Sequence, residues 1–140
     1  QKGTRPMKDL MTEMYNVFLK DDVISQYVDK QAIKFITYPN VNDIKNTMIV
    51  IDDLQSPTPR DYADNDNLTY EYAYQIDVFV KQNNNFNSRL LCERLILRVQ
   101  KLMRDELGFV VLNTPKPNHD GEHALFRQTT IFKGKQYYNN

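Results

Sequence analysis

The densest group of side chains able to hold a metal ion or move a proton is His119, Asp120, Glu122 and His123, set around Gly121. Two imidazoles and two carboxylates form a donor set that suits Zn²⁺ or a similar ion. This is not the helical HExxH arrangement, in which two histidines four apart share one face. Pro117 and Gly121 place the cluster in a turn instead, and a solvated hairpin tip is the reading that composition favours. Asp61, Asp64 and Asp66 resemble part of a calcium loop. Counted from Asp64, the segment supplies neither the glycine at loop position six nor the glutamate at position twelve, so the EF-hand pattern fails. Cys92 is the single cysteine, with Arg89 as its one nearby base, and it falls on an apolar helical stripe where burial quiets a thiol. Four glycines in the whole chain leave no phosphate-cradling loop, which argues against nucleotide-dependent catalysis. No catalytic, metal or cofactor site is expected.

Two further patterns suit contact better than catalysis. Arg94, Arg98, Lys101 and Arg104 recur at spacings of three and four, forming a basic stripe on a helix. It reads as a charged solvent face, as a surface for an acidic partner or, less in keeping with the charge balance, as a contact for a phosphate backbone. Tyr70, Tyr72 and Tyr74 alternate along a strand, each joining a large apolar ring to a hydroxyl that tolerates water, the profile of an interface anchor. Packing beneath a helix explains the same row equally well.

Those side chains must be positioned by a short series of elements. Met7, Leu10, Met11, Met14, Tyr15, Val17 and Phe18 mark an amphipathic helix over 6–20, with Thr4 as N-cap and Pro6 in the first turn. Asp22 caps a short second helix carrying Val23, Ile24, Tyr27 and Val28. Strands follow over 32–38 and 47–51, both rich in β-branched residues. Residues 55–67 hold two prolines and almost no aliphatic side chain, and read as a long loop that includes Arg60, Asp61, Asp64 and Asp66. Leu68 to Lys81 then alternates over 14 residues, with Tyr70, Tyr72, Tyr74, Ile76, Val78 and Val80 on one face. At ~3.3 Å per residue that strand outruns an ordinary one, so part of it is expected to project beyond the sheet. A helix from Arg89 to Leu107, capped by Asn87 or Ser88 and ended by Gly108, carries Cys92 inward. Strands over 109–113 and 123–133 close the chain, joined through a turn at 117–121. The order α-α-β-β-β-α-β-β predicts an α+β domain: a mainly antiparallel sheet of about five strands with two to three helices packed on it.

At 140 residues and 41% apolar, the chain has the size and composition of one globular domain that needs neither disulfide nor metal to hold its core. It has no apolar run long enough to span a bilayer and no secretory leader, and it reads as cytosolic, with a processed start in view of the missing Met. Charge is zero overall and polarised along the chain. Residues 1–80 carry 8 Lys or Arg against 13 Asp or Glu, while 81–140 carry 10 against 5. That balance argues against wholesale coating of nucleic acid and favours head-to-tail contact between an acidic and a basic face, unless the halves interleave in space.

In order along the chain, the segments "IKFITYPNVND", "NTMIVIDDLQSPTPRDYADNDNL", "YEYAYQIDVFVK", "RLLCERLILRVQKLMRDELGF" and "ALFRQTTIFKG" resemble the small tail-completion proteins of long-tailed phages, the tail terminators or head-to-tail joining proteins. The likeness spans residues 5 to 135. It implies a non-enzymatic virion protein, made in the host bacterial cytoplasm, that forms a ring, commonly a hexamer. Such a ring caps the tail tube and meets the head connector or stopper, with no cofactor, small-molecule substrate or membrane. The basic helix of one subunit would then face the acidic segment of the next. Two rivals remain: a nucleic-acid-binding or other small α+β binding module, stacking bases on Tyr70, Tyr72 and Tyr74 where the ligand is nucleic acid, and a small-molecule or metal-dependent enzyme built on His119 to His123.

Overall fold

The computed structural model describes residues 9–40, 43–44, 46–64, 66–83 and 87–137. Helix α1 (Leu10–Lys20) starts where the Asp9 carboxylate accepts the Thr12 N–H at 3.2 Å, four residues later than the pattern suggests. The expected Thr4 cap and Pro6 lie outside the described residues. Asp21, not Asp22, caps α2 (Asp22–Tyr27), accepting the N–H groups of Val23 and Ile24. One 3₁₀ turn, Lys30–Ala32, leads into β1 (Ile33–Phe35). This strand is shorter than expected because the chain turns at Ile36, whose φ is 66°.

The remaining elements are β2 (Thr47–Asp53), β3 (Thr58–Ala63), β4 (Asp66–Lys81), α3 (Ser88–Leu107), β5 (Val110–Asn113), β6 (Asn118–Asp120) and β7 (Leu125–Tyr137). The fold is α+β, with a seven-stranded sheet in the order β1-β2-β4-β7-β5. Every pairing is antiparallel except β1 with β2. Two strands are additions to the five expected. Residues 58–63, read as loop, pair with β4 as an antiparallel hairpin. Composition hid this strand because an edge strand tolerates Pro59 and needs no aliphatic side chains when its partner supplies the ladder. Asp61 and Asp64 take positive φ in and after it, a conformation aspartate tolerates better than most residues. Residues 118–120, read as turn, pair with β7.

The two long strands β4 and β7 run side by side from Thr69 to Lys81. Along the outer edge of β4, β2 covers Tyr74 to Val80 and β3 covers Asp66 to Glu71. The expected projection beyond the sheet is not found: the first part of β4 carries the β3 hairpin past the end of β2 but stays within the sheet, paired with β3 and, from Thr69, with β7. Helix α3 packs over β4 and β7, with α1 and α2 beside it. Ile49, Ile51, Tyr72, Tyr74, Ile76, Val78 and Val80 meet Leu95, Ile96, Val99 and Met103 of α3 and Met14 and Phe18 of α1. Each aliphatic side chain fully buried there contributes about 1.5–3 kcal/mol.

Phe109, buried at the end of α3, lies over Gly134 of β7. A Cβ on that glycine would fall 2.7 Å from the ring. Among the described residues no helix packs on the opposite sheet face. A small cluster of Ile44, Met48, Val50, Phe79 and Leu125 covers one end of it, and charged side chains from β4 and β7 cross the rest.

Candidate assembly interface

The arm formed by β3, the start of β4 and the end of β7 holds the acidic residues singled out above. Asp61 accepts the Thr69 hydroxyl at 2.6 Å and pairs with Lys135 at 3.0 Å. Those two contacts, the hydroxyl first, hold its carboxyl below the usual range. Arg60 reaches Glu71 at 3.6 Å, and Lys133 reaches the same carboxylate at 3.3 Å. Arg60 and Asp61 therefore stitch three strands of the arm together. Asp64 and Asp66 instead sit exposed at its tip, flanked by Tyr62, 68% exposed, and the exposed Leu68. An acidic tip with two outward apolar side chains has the mixed character that contact surfaces share.

Tyr72 and Tyr74 are not part of it. Both are 6% exposed, stacked 6.2 Å apart within the core, and Tyr74 meets the Phe109 ring edge-on at 5.8 Å. Tyr70 is half-buried against the same core. The row is core packing, so neither anchor nor base-stacking platform is available there. The physical reason is that α3 covers this sheet face.

On α3, Arg98 also turns inward. Its guanidinium holds Asp21 through Nε at 2.9 Å and Nη2 at 2.6 Å. Burial pushes the Asp21 carboxyl up, but Arg98 and the Ile24 and Val23 N–H groups outweigh it and leave the group below its ordinary value. Arg94, Lys101 and Arg104 stay exposed. Lys101 and Arg104 both pair with Asp105 at 2.9 Å, at the solvent surface where such pairs are weak. Arg94 has no ion-pair partner among the described residues. Leu90 and Leu97 are exposed on the same helical face. The outer face of α3 thus repeats the arm tip's mixture with opposite sign.

Sequence reasoning missed a third surface. Val110, Val111 and Leu112 of β5 are 59%, 44% and 59% exposed, on a strand at the end of the sheet order. An apolar run of this kind ordinarily signals a buried strand, so nothing in its periodicity marks it as outward. It also missed Asp77, fully buried on the helix-free face. Asp77 accepts from Gln75 at 3.0 Å, from the Thr129 hydroxyl, and from Arg127 at 3.2 Å. Arg127 in turn lies over the Phe79 and Tyr38 rings. The β4–β7 register brings Asp77, Phe79, Arg127 and Thr129 together, and Tyr38 reaches them from the segment after β1.

The His119 to His123 cluster is a hairpin tip between β6 and β7. Asp120 pairs with His123 Nδ1 at 2.8 Å, while His119 stacks on Phe126 at 4.4 Å, so the two imidazoles are committed to different neighbours. No group of three metal-ligating side chains converges among the described residues. Cys92 lies in the core, where burial pushes its thiol up to about 12. No helix is long and apolar enough to cross a membrane among the described residues.

No family model and no curated protein matches the chain. Solved structures do. A chain from the virion of a native gene transfer agent particle superposes with a TM-score of 0.64 at 11% identity, covering 90% of this chain and 92% of its own. A second solved chain, whose name states no function, gives 0.54 at 12% identity over 96% of this chain and 100% of its own. At these identities what is shared is the fold: an α+β architecture of this kind, over nine-tenths of the chain, is also found in a gene transfer agent virion.

Proposed function

We propose that this chain is a structural protein of a phage-like virion, working by fitting against copies of itself and adjoining parts, with no bond made or broken. The observation that carries the reading is the match in fold, over nine-tenths of both chains, to a component of a gene transfer agent virion. The resemblance to tail-completion proteins refines it. The chain forms a ring of six that caps the tail tube and meets the head connector, at the junction of head and tail.

Ring closure joins unlike surfaces of neighbouring subunits, as any head-to-tail contact must. The acidic arm tip of one copy, with Asp64, Asp66, Tyr62 and Leu68, meets the basic α3 face of the next, with Arg94, Lys101, Leu90 and Leu97. Charge supplies register and encounter rate, and the apolar side chains supply burial. Arg60, Asp61 and Arg98 act inside the subunit: the first two stiffen the arm and the third ties α3 to α2.

The reading is tested by static light scattering of the purified chain at low and high salt, with negative-stain images. Rings weakened by salt are the expected result. A monomer at every salt and concentration, with tail tube protein added, overturns it.

A further inference from the structure

We infer that the junction between neighbouring subunits contains a shared β-sheet, in which β5 of one copy pairs with β1 of the next; this rests on the ring reading above. The two strands are the terminal members of the same sheet, at opposite ends of the order β1-β2-β4-β7-β5. Each therefore offers one row of backbone groups that no neighbouring strand among the described residues satisfies, the usual template for pairing with another chain.

The occupant of each edge is a second copy because the two edges complement each other in three respects. The first is direction. β1 runs with β2, and each later step, β2 to β4, β4 to β7 and β7 to β5, is antiparallel, so β5 runs opposite to β1. A ring whose axis lies along the strands preserves these directions, and β5 then meets the next β1 as an antiparallel pair, the stronger of the two ladders.

The second is shape. Beside β1 lies a cavity of about 740 Å³ whose walls include Tyr27, Ala32, Phe35 and Met48, whereas β5 presents Val110, Val111 and Leu112 outward. The third is charge. Asp29 and Asp43 also line that cavity, against Lys34, and the segment 109–117 carries Lys116 as its sole charge.

Ile36 adds a local sign of an unfilled place. It is a β-branched residue at φ 66°, 56% exposed, at the end of β1, with the Thr37 N–H closing a tight turn onto the Phe35 carbonyl at 2.6 Å. Such a conformation is costly and persists where surrounding structure fixes it. A neighbouring strand laid along β1 covers this side chain and gives it that structure.

The test is the double variant Val111→Lys/Leu112→Lys, both at exposed positions, with circular dichroism to show retained fold. Lysine on an edge strand opposes pairing, and self-association is expected to weaken on the order of 100-fold. Hydrogen exchange of the unaltered chain, above and below its association concentration, gives a second readout independent of the variant. Amides in 33–35 and 110–113 are expected to slow on assembly. Rings that form normally in the variant overturn the shared sheet and leave the ring reading standing. So does weakened association without added protection at 33–35, which makes the effect one of side chains alone. An unaltered chain that never associates overturns both.

Discussion

Arg98 of α3 grips Asp21 with two nitrogens, the shorter contact being 2.6 Å, and Asp21 at the same time caps α2. One carboxylate thus fixes the angle between two helices and spends the central cation of the basic stripe inside the subunit. Removing it by Asp21→Ala deletes a helix cap and leaves Arg98 unpaired, and about 2–4 kcal/mol of stability should go with it. Thermal or urea unfolding measures this. Arg98→Met should lower stability without changing the salt dependence of self-association, because its guanidinium is held by Asp21 within the same chain.

The same pair sets an acid limb. Asp21's carboxyl is held below its ordinary value in the folded chain, so the stability it contributes is complete above the unfolded-state value of ~3.9 and is lost as pH falls through the lower folded value. Urea midpoints from pH 7 down to pH 2 should fall more steeply for the unaltered chain than for Asp21→Asn. Equal slopes would remove Asp21 from this role.

Gly134→Ala places a Cβ 2.7 Å from the Phe109 ring. The ring is fully buried and meets Tyr74, so it cannot withdraw without disturbing the core. A loss of about 1–3 kcal/mol is expected. Pairing Gly134→Ala with Phe109→Leu should recover part of it, which a double-mutant cycle would show.

Tyr74→Ala should cost about 3–5 kcal/mol, as for any large core aromatic. Measured against single-stranded oligonucleotides, the unaltered chain should show no binding that depends on this residue, since its ring is enclosed. Retained fold together with lost oligonucleotide affinity in Tyr74→Ala would restore the nucleic-acid reading.

Much of this fold was legible because its signals are local. The alternation from Tyr70 to Val80 marks the buried face of β4, and the spacing of Leu91, Leu95, Val99 and Leu102 marks that of α3. Gly108 at φ 73° stops α3 as its position suggests. What escaped is relational. β3 owes its conformation to the ladder offered by β4, and its own composition reads as loop. Gly134 has a reason only once Phe109 lies on it, 25 residues away in sequence. Of the candidate interface, the charges were visible and their allegiance was not. Arg98, Arg60 and Asp61 bond within the subunit, Tyr72 and Tyr74 are core, and the exposed edge at Val110 to Leu112 looks from sequence like buried strand.

Arg94→Glu/Lys101→Glu should leave unfolding unchanged within about 0.5 kcal/mol, both side chains being exposed. It should abolish assembly at low salt. Adding Asp64→Lys/Asp66→Lys to the same chain exchanges the signs on both surfaces and should restore it.

The central claim is settled by the mass of the purified, unaltered chain in solution, followed by sedimentation from dilute to concentrated protein. The account requires a closed species of six times the 16.6 kDa chain, dissociating as salt rises. A single 16.6 kDa species throughout, unmoved by salt, concentration or added tail tube protein, contradicts it.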